Sequence, residues 1–498
     1  MTDQGYLLSA ITLTPGAVAL LLLLTSREAT RLHRWAGLGA SLVSLGLAAV
    51  AWLRFDPANP SFQLAEVHSW LPSVGVSYRL GIDGISLILV LLTTLLQPLV
   101  FISSWHSIKE RVKGYVVAML LLETGMVGAF LATDLFLFYV FWELMLVPMY
   151  FLIGVWGGER RIYAAVKFVL FTLAGSLLML VGIIYLSWLY RAQAGVWSFA
   201  YEDIRRLVIP MGDGFMSSPQ MLLFAAFALA FAIKVPVFPL HTWLPDAHVE
   251  APTGGSIILA GVLLKLGTFG LLRFNRALFP DAWERSTPLF MTLAVIAIIY
   301  GALVSWAQKD MKKLVAYSSV SHMGFIVLGI FAGTVASTQG AMIQMINHGL
   351  STGALFMLVG VIYDRRHTRL IEDYGGLAAV MPVYTAAFLL TTLASIGLPG
   401  LNGFVGEFLI LVGSFSVAPI ATVLAASGIV LGAVYMLSLV QRVFWNPLTN
   451  PENQSLPDMT WQEVVAFAPL AVFMVWIGVH PTTFLSISEA AVQRLIGG

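Results

Sequence analysis

The stretch Lys234-Val235-Pro236-Val237-Phe238-Pro239-Leu240-His241-Thr242-Trp243-Leu244-Pro245 decides the reading of this chain. It places a lysine and two prolines inside an apolar run that spans 220–244. Each proline removes a backbone donor and clashes with the preceding turn, so a helix must break or kink here. In lipid the freed backbone groups need partners in protein or in a polar cavity, so such a break marks a buried, polar-lined place. A second break follows at Gly397-Leu398-Pro399-Gly400-Leu401-Asn402-Gly403, inside an apolar run over 377–416. That run is about twice the roughly 20 residues that a bilayer needs.

On either side of these breaks the whole chain reads as membrane helices. Of 498 residues, 58% are apolar and 11% charged, with mean hydropathy +0.86. A typical soluble domain carries roughly 25% charged residues, and a soluble protein of this size could not hide so much apolar surface. Apolar runs bounded by charge, Gly and Pro predict about fourteen helices, at 5–25, 34–53, 83–104, 114–132, 135–156, 163–190, 220–244, 254–274, 287–307, 314–333, 337–363, 377–416, 419–445 and 461–480. The apolar content matches, since fourteen spans use about 280 residues. The stretch 55–82, with Phe62, Leu64, Val67, Trp70, Val74, Val76 and Tyr78, fits a short surface hairpin.

The expected fold class is therefore all-α and polytopic. The two broken helices, 7 and 12, lie five helices apart. Five is odd, so a unit of helices 4–8 and a unit of helices 9–13 run in opposite directions, which is the inverted-repeat pattern of transporters. Two independent kinks in one long bundle are the alternative. The corresponding division is 1–112 (helices 1–3), 113–280 (first repeat), 281–446 (second repeat) and 447–498 (helix 14 and a short tail). Met1-Thr2-Asp3-Gln4 carries no positive charge before the first apolar run, which favours a membrane helix over a cleaved leader. Lys and Arg count 15 on the side holding Arg27, Lys109, Arg160, Lys309, Arg365 and their neighbours, against 9 on the other. That bias predicts the first side in the cytoplasm and both termini in the periplasm.

Composition excludes several functions. With no cysteine there is no disulfide, no thiolate-held iron–sulfur cluster and no cysteine nucleophile. No phosphate-cradling glycine loop and no strand-borne dinucleotide fingerprint occurs. A net charge of +1 gives no footprint for nucleic acid.

Titratable residues inside the predicted helices carry the function. They are Glu123 on helix 4, Glu143 on helix 5, Lys234 on helix 7, Lys265 on helix 8, His322 on helix 10, His348 on helix 11 and Glu407 on helix 12. A charge at mid-membrane costs roughly 2.5–3.5 kcal/mol on insertion scales. Seven of them are a heavy load for a passive scaffold. A lysine beside a glutamate stays charged, and it releases its proton when that support is withdrawn. A row of Glu, Lys and His at similar depth can thus relay protons by coupled charge shifts, with histidine both accepting and donating. Bland readings stand beside this. Glu143 and Lys234 could be a static buried pair. A neighbour such as Thr124 could satisfy a protonated Glu123, and Lys167 could snorkel from a helix end. His241 and His248, beside Asp246 and Glu250, suit a solvated rim better than a metal site.

These residues stand in familiar motifs. Phe141-Trp142-Glu143-Leu144-Met145-Leu146-Val147-Pro148, the run from Ala232 through Lys234 and Pro236 to His248, and its continuation through Ala251-Pro252-Thr253 to Lys265 resemble the antiporter-like subunits of respiratory complex I. Ala316-Tyr317-Ser318-Ser319 and Gly403-Phe404-Val405-Gly406-Glu407 resemble later motifs of that family, and the likeness covers about 80–445. Within the family the chain is similar to the M-type branch. Its helix-12 acid is a Glu where neighbouring subunits commonly have Lys, and only about 18 residues follow helix 14, without a long lateral helix.

The resemblance implies a non-redox, proton-translocating subunit of an NADH:quinone oxidoreductase in a bacterial inner membrane. It implies no cofactor and no metal in this chain, with FMN, iron–sulfur clusters and quinone in partner subunits, and with L- and N-type membrane-arm subunits as neighbours. By motif, Glu143 would tune Lys234 as the central switch, and Lys265, His322 and His348 would bridge to Glu407. Mrp-type cation/proton antiporters and membrane hydrogenases share the core motifs and are the alternatives. Glu123 has no place in the pattern that the resemblance supplies.

Overall fold

The computed structural model describes residues 5–497; Met1–Gln4, read above for a leader, lie outside them. In chain order the first half forms α1 (Leu7–Leu23), α2 (Thr30–Arg54), β1 (Gln63–Leu71), β2 (Val76–Ile82), α3 (Gly84–Ser103), α4 (Val112–Leu131), α5 (Leu135–Trp156), α6 (Arg161–Ala194), α7a (Pro219–Lys234), α7b (Trp243–Glu250) and α8 (Thr253–Leu278). The second half forms α9 (Pro280–Trp306), α10 (Met311–Ala332), α11 (Val335–Arg366), α12a (Pro382–Ser395), α12b (Asn402–Phe415), α13 (Pro419–Trp445), α14 (Trp461–Val479) and α15 (Thr482–Gly497). Eleven of these helices are each long and apolar enough to cross a membrane. The 17-residue α1 and the interrupted α7 and α12 complete fourteen crossings among the described residues.

Burial separates helices that face lipid from helices that face protein. The most apolar windows of α8 and α11 are wholly buried, and that of α10 is 94% buried, whereas that of α14 is 28% buried. The polar side chains of α8, α10 and α11 therefore lie in the interior, enclosed by the other helices.

The loops divide between two faces. On one, β1 and β2 pair antiparallel, as the sequence suggested, turning through Gly75 at φ +76°. Glu66 on β1 caps the start of α1, accepting from the Leu8 amide at 2.7 Å, where the exposed N–H groups of a helix favour an anion. Asp83 caps α3 by accepting from the Ser86 amide at 3.0 Å and bonds Arg273 of α8 at 2.6 Å. Burial alone would raise this carboxyl, but the Arg273 guanidinium and the Ser86 donors hold it below its usual range. On the opposite, basic face, cations meet the last carbonyls of helices. Lys113 donates to the Leu23 and Thr25 oxygens at 2.8 and 2.7 Å, and Arg365, in the last turn of α11, donates to the Val361 oxygen at 2.8 Å and also grips Glu463 with two bonds at 2.8 and 2.7 Å.

Two differences from the expected spans have physical causes. The short tail after helix 14 forms a further helix, α15, whose Phe484, Ile487, Ala491 and Val492 bury against α3 and α11. Its mixed polar and apolar sequence escapes a search for continuous apolar runs. Helix 9 begins at Pro280 rather than 287, because Asp281, Glu284 and Arg285 occupy its first turns. Apolar runs report the membrane-embedded part of a helix and not the turns that leave it.

Candidate functional site

Pro236 cannot continue α7a, and the chain runs irregularly from Val235 to Thr242 before α7b. The freed groups find partners. The Val237 amide reaches the Ala232 oxygen at 2.8 Å, and the Trp243 indole donates to the Ile233 oxygen at 2.9 Å. Lys234 is the last residue of α7a and is buried, so its side chain lies at the break. Its Nζ stands 5.1 Å from the Trp142 ring centre and 5.6 Å from that of Phe168. Ring faces attract a cation but accept no proton. Glu143 is half-buried and forms no ion pair with Lys234 within 4.0 Å among the described residues. The two interact through space across the Trp142 edge of α5, not by contact.

Lys265 lies on α8 between two π-helical segments, Leu259–Leu263 and Leu271–Asn275. Single π turns inside α-helices are rare and frequently mark functional sites. The Lys265 ammonium donates to the Ala260 oxygen, within the first of them. Its Nζ also lies 2.6 Å from His348 Nδ1 on α11. An ammonium donates to an unprotonated Nδ1, so the proton of His348 is on Nε2, which has no other partner. The rings of His348 and His322 are 5.9 Å apart, close enough for transfer through one water. His322 Nδ1 is 3.0 Å from Glu407 Oε1 on α12b, and Gln344 donates its Nε2 to the same oxygen at 3.1 Å. Lys265, His348, His322 and Glu407 thus form one lateral row across α8, α11, α10 and α12b, every member buried.

The break in α12 positions the end of this row. Gly397 and Gly400 turn the chain at φ +76° and +91°, values that a side chain rarely adopts. Asn347 holds the restart by donating to the Asn402 oxygen at 2.7 Å, and Asn402 returns a bond to the Asn347 oxygen at 3.3 Å. Gly406 lies so close to α11 that a Cβ there would meet the Gln344 Cβ at 2.8 Å, so a side chain at this position would push α12b away from α11.

Other expected features move. His241 and His248 are not a solvated rim: both are buried, and the His248 ring stacks on Phe356 at 4.4 Å. The fold of α7b back into the bundle encloses them, which sequence spacing does not show. Lys167 stays partly exposed and pairs with Asp246 of α7b at 2.7 Å. Lys312, a neighbour of Lys309 on the basic side, is buried in the first turn of α10 and donates to the Ala251 oxygen. Beside it a cavity of about 190 Å³ opens on the basic face, lined by Ser104, Glu250, Lys312, Asp364 and Arg369. Gln344 and Ser395, whose Oγ lies 3.4 Å from His322 Nε2, were missed. Gln344 stands four residues before His348 on the same helix face, a spacing that could have found it.

Known proteins share this fold. The family described as NADH:quinone oxidoreductase/Mrp antiporter matches residues 132–432, and that described as NADH-ubiquinone oxidoreductase chain 4, amino terminus, matches 49–129. NADH-quinone oxidoreductase subunit M of Rhodobacter capsulatus is 45% identical over 98% of this chain and 96% of its own. A chain of respiratory complex I from Thermus thermophilus superposes with TM-score 0.87 at 35% identity, over 99% of this chain and 100% of that one. A chain of the Mrp complex from Dietzia sp. DQ12-45-1b superposes with TM-score 0.85 over 100% and 98%; at 20% identity this likeness is one of fold.

Proposed function

Because the chain belongs to the NADH:quinone oxidoreductase/Mrp antiporter family of membrane subunits, and within it to the subunits M and chain 4, we propose that Lys265, His348, His322 and Glu407 are its proton relay, with Lys234 as the switch that drives it. It is a proton-translocating, antiporter-like membrane-arm subunit of NADH:quinone oxidoreductase. The observation that carries the relay is its continuity: an ammonium, two imidazoles and a carboxylate in sequence, joined at 2.6 and 3.0 Å around one 5.9 Å step.

The chemistry follows from this order. When Lys234 carries a proton, its charge repels that on Lys265; when the Glu143 field shifts, the balance between the two lysines changes. Lys265 then gives its proton to His348 Nδ1, His348 passes the Nε2 proton toward His322, and Glu407 receives it. The redox work belongs to partner subunits, which would hold FMN, iron–sulfur clusters and quinone, and L- and N-type subunits would flank this one. Refilling of Lys265 is supported from the basic face, where the cavity leads to Lys312 and where His248 feels the charges of both Lys312 and Lys265. We assign that face to the cytoplasm and the membrane to the bacterial inner membrane, on the excess of basic loops.

Two measurements test this reading. In the assembled complex, Glu407→Gln keeps the bond from Gln344 but removes the titratable proton, whereas Glu407→Asp keeps the charge. Pumping should fall by more than half in the Gln variant and much less in the Asp variant; equal pumping by Gln and wild type would reduce Glu407 to a packing residue. For orientation, Glu110→Cys introduces a single thiol into a cysteine-free chain. An impermeant maleimide should label it in inverted vesicles and not in intact cells; labelling in intact cells would reverse the assignment.

A further inference from the structure

Glu123 is the buried acid that the row leaves out. It lies midway along α4 with no exposed surface, and neither carboxyl oxygen has a hydrogen-bond partner among the described residues. The chain's other buried acids are treated differently. Glu66 accepts from the amides of Leu8 and Ser9, and Asp134 from those of Ser77, Phe136 and Leu137. Asp83 accepts from Ser86 and from Arg273. A structural carboxylate in this protein is saturated by fixed donors, and Glu123 is not. With neither cation nor donor in an apolar interior, it is tolerated as the neutral acid, whose O–H still needs an acceptor.

The surroundings supply an acceptor and a route. Gln97 on α3 donates its Nε2 to the Met119 oxygen at 2.9 Å, one turn before Glu123, while its own Oε1 is buried and without a partner. The unpartnered oxygens of Gln97 and Glu123, about one helical turn apart along the α3–α4 seam, suit a bridging water. Toward the basic face the same seam holds Tyr115, two turns from Glu123, with its hydroxyl 2.9 Å from Ser104 Oγ. Ser104 lines the cavity that opens on that face. In the other direction α4 meets α8, where Phe130 packs edge-on against Phe269 at 5.2 Å. At ~1.5 Å per residue, Glu123 lies about 10 Å and Lys265 about 6 Å from that contact along parallel helices, so their depths differ by less than one turn.

We propose that Glu123 is a proton-holding carboxyl on a side branch of the relay, filled from the basic-face cavity through Ser104, Tyr115 and Gln97 and discharged to Lys265. The step is balanced. Neutral Glu123 gives its proton to the neutral Lys265 amine, leaving a carboxylate and an ammonium. The carboxylate is reprotonated by a water at Gln97, and that proton is replaced through the Tyr115 and Ser104 hydroxyls from the cavity. This inference rests on the relay reading of Lys265 to Glu407.

The test compares Glu123→Gln, Glu123→Asp and Glu407→Gln in the assembled complex in membrane vesicles. Protons pumped per NADH are measured with subunit content, together with the infrared difference spectrum produced by NADH addition. Glu123→Gln should halve pumping or worse and delete a carboxylic-acid C=O band, and Glu123→Asp should restore most of both. Normal pumping by Glu123→Gln, with Glu407→Gln impaired, overturns the branch alone. Normal pumping by both variants overturns the relay as well. If Glu123→Gln fails to assemble, the Asp variant decides: a C=O band that responds to NADH supports the branch, and one that does not respond overturns it.

Discussion

Replacing Lys265 with methionine should lower coupled NADH oxidation and proton uptake about a hundredfold, the lower end of what loss of one proton-transfer group produces. Methionine matches the length and apolar stem of lysine and keeps the packing of a side chain that is fully buried. What it removes is the Nζ that bonds the Ala260 oxygen and His348 Nδ1. The row then begins at an imidazole with no donor in front of it. Two buried acceptors also lose their partner, at about 1–3 kcal/mol each, so the assembled complex should unfold at a lower temperature than wild type. Lys265→Arg separates these effects, because a guanidinium can restore the bonds but does not release its proton. Vesicle acidification with subunit content measured by immunoblot makes the comparison. Near-normal pumping by Lys265→Met would remove α8 from the path.

Lys234→Ala should be at least as severe. The ammonium is buried at the end of α7a with only aromatic faces close by, so no neighbouring group can take over its charge. Its removal takes away the charge through which the proposed switch would act on Lys265 and leaves a gap beside the α7 break. Glu143→Gln should follow the same pattern more weakly, because the Glu143 carboxylate acts on Lys234 through space without a bond. Glu143→Asp should retain most activity. The readout is NADH:quinone turnover and acidification in the same vesicles. Full turnover with lost acidification in Lys234→Ala would mean that the subunit is coupled to electron flow only loosely.

The sequence carried the fold because membrane burial is written in continuous apolar runs and breaks are written in proline and glycine. Both broken helices, the hairpin over 55–82 and fourteen crossings could be read this way. The end of the chain could not, since α15 alternates polar and apolar residues and declares itself only by packing on α3 and α11. The site was legible residue by residue but not as a connected object. Mid-helix titratable residues named Lys265, His348, His322 and Glu407, yet their order in space depends on how α8, α11, α10 and α12b cross. The π turns that flank Lys265 have no counterpart in periodicity, because Leu259–Leu263 reads as ordinary apolar helix. The burial of His248 and Lys312 was hidden for a similar reason. Charged and polar residues next to a loop look solvated until a re-entrant segment such as α7b is seen to cover them.

The most direct test of the account is the number of protons pumped per NADH by an assembled complex carrying Lys234→Arg. Arginine keeps the positive charge and stacks on Trp142 and Phe168 at least as well as lysine does. A static cation would therefore be fully replaced. A switch would not, because the guanidinium holds its proton at every accessible pH. The account predicts loss of most pumping with normal subunit content; pumping at the wild-type ratio would contradict it and leave Lys234 as a fixed counter-charge.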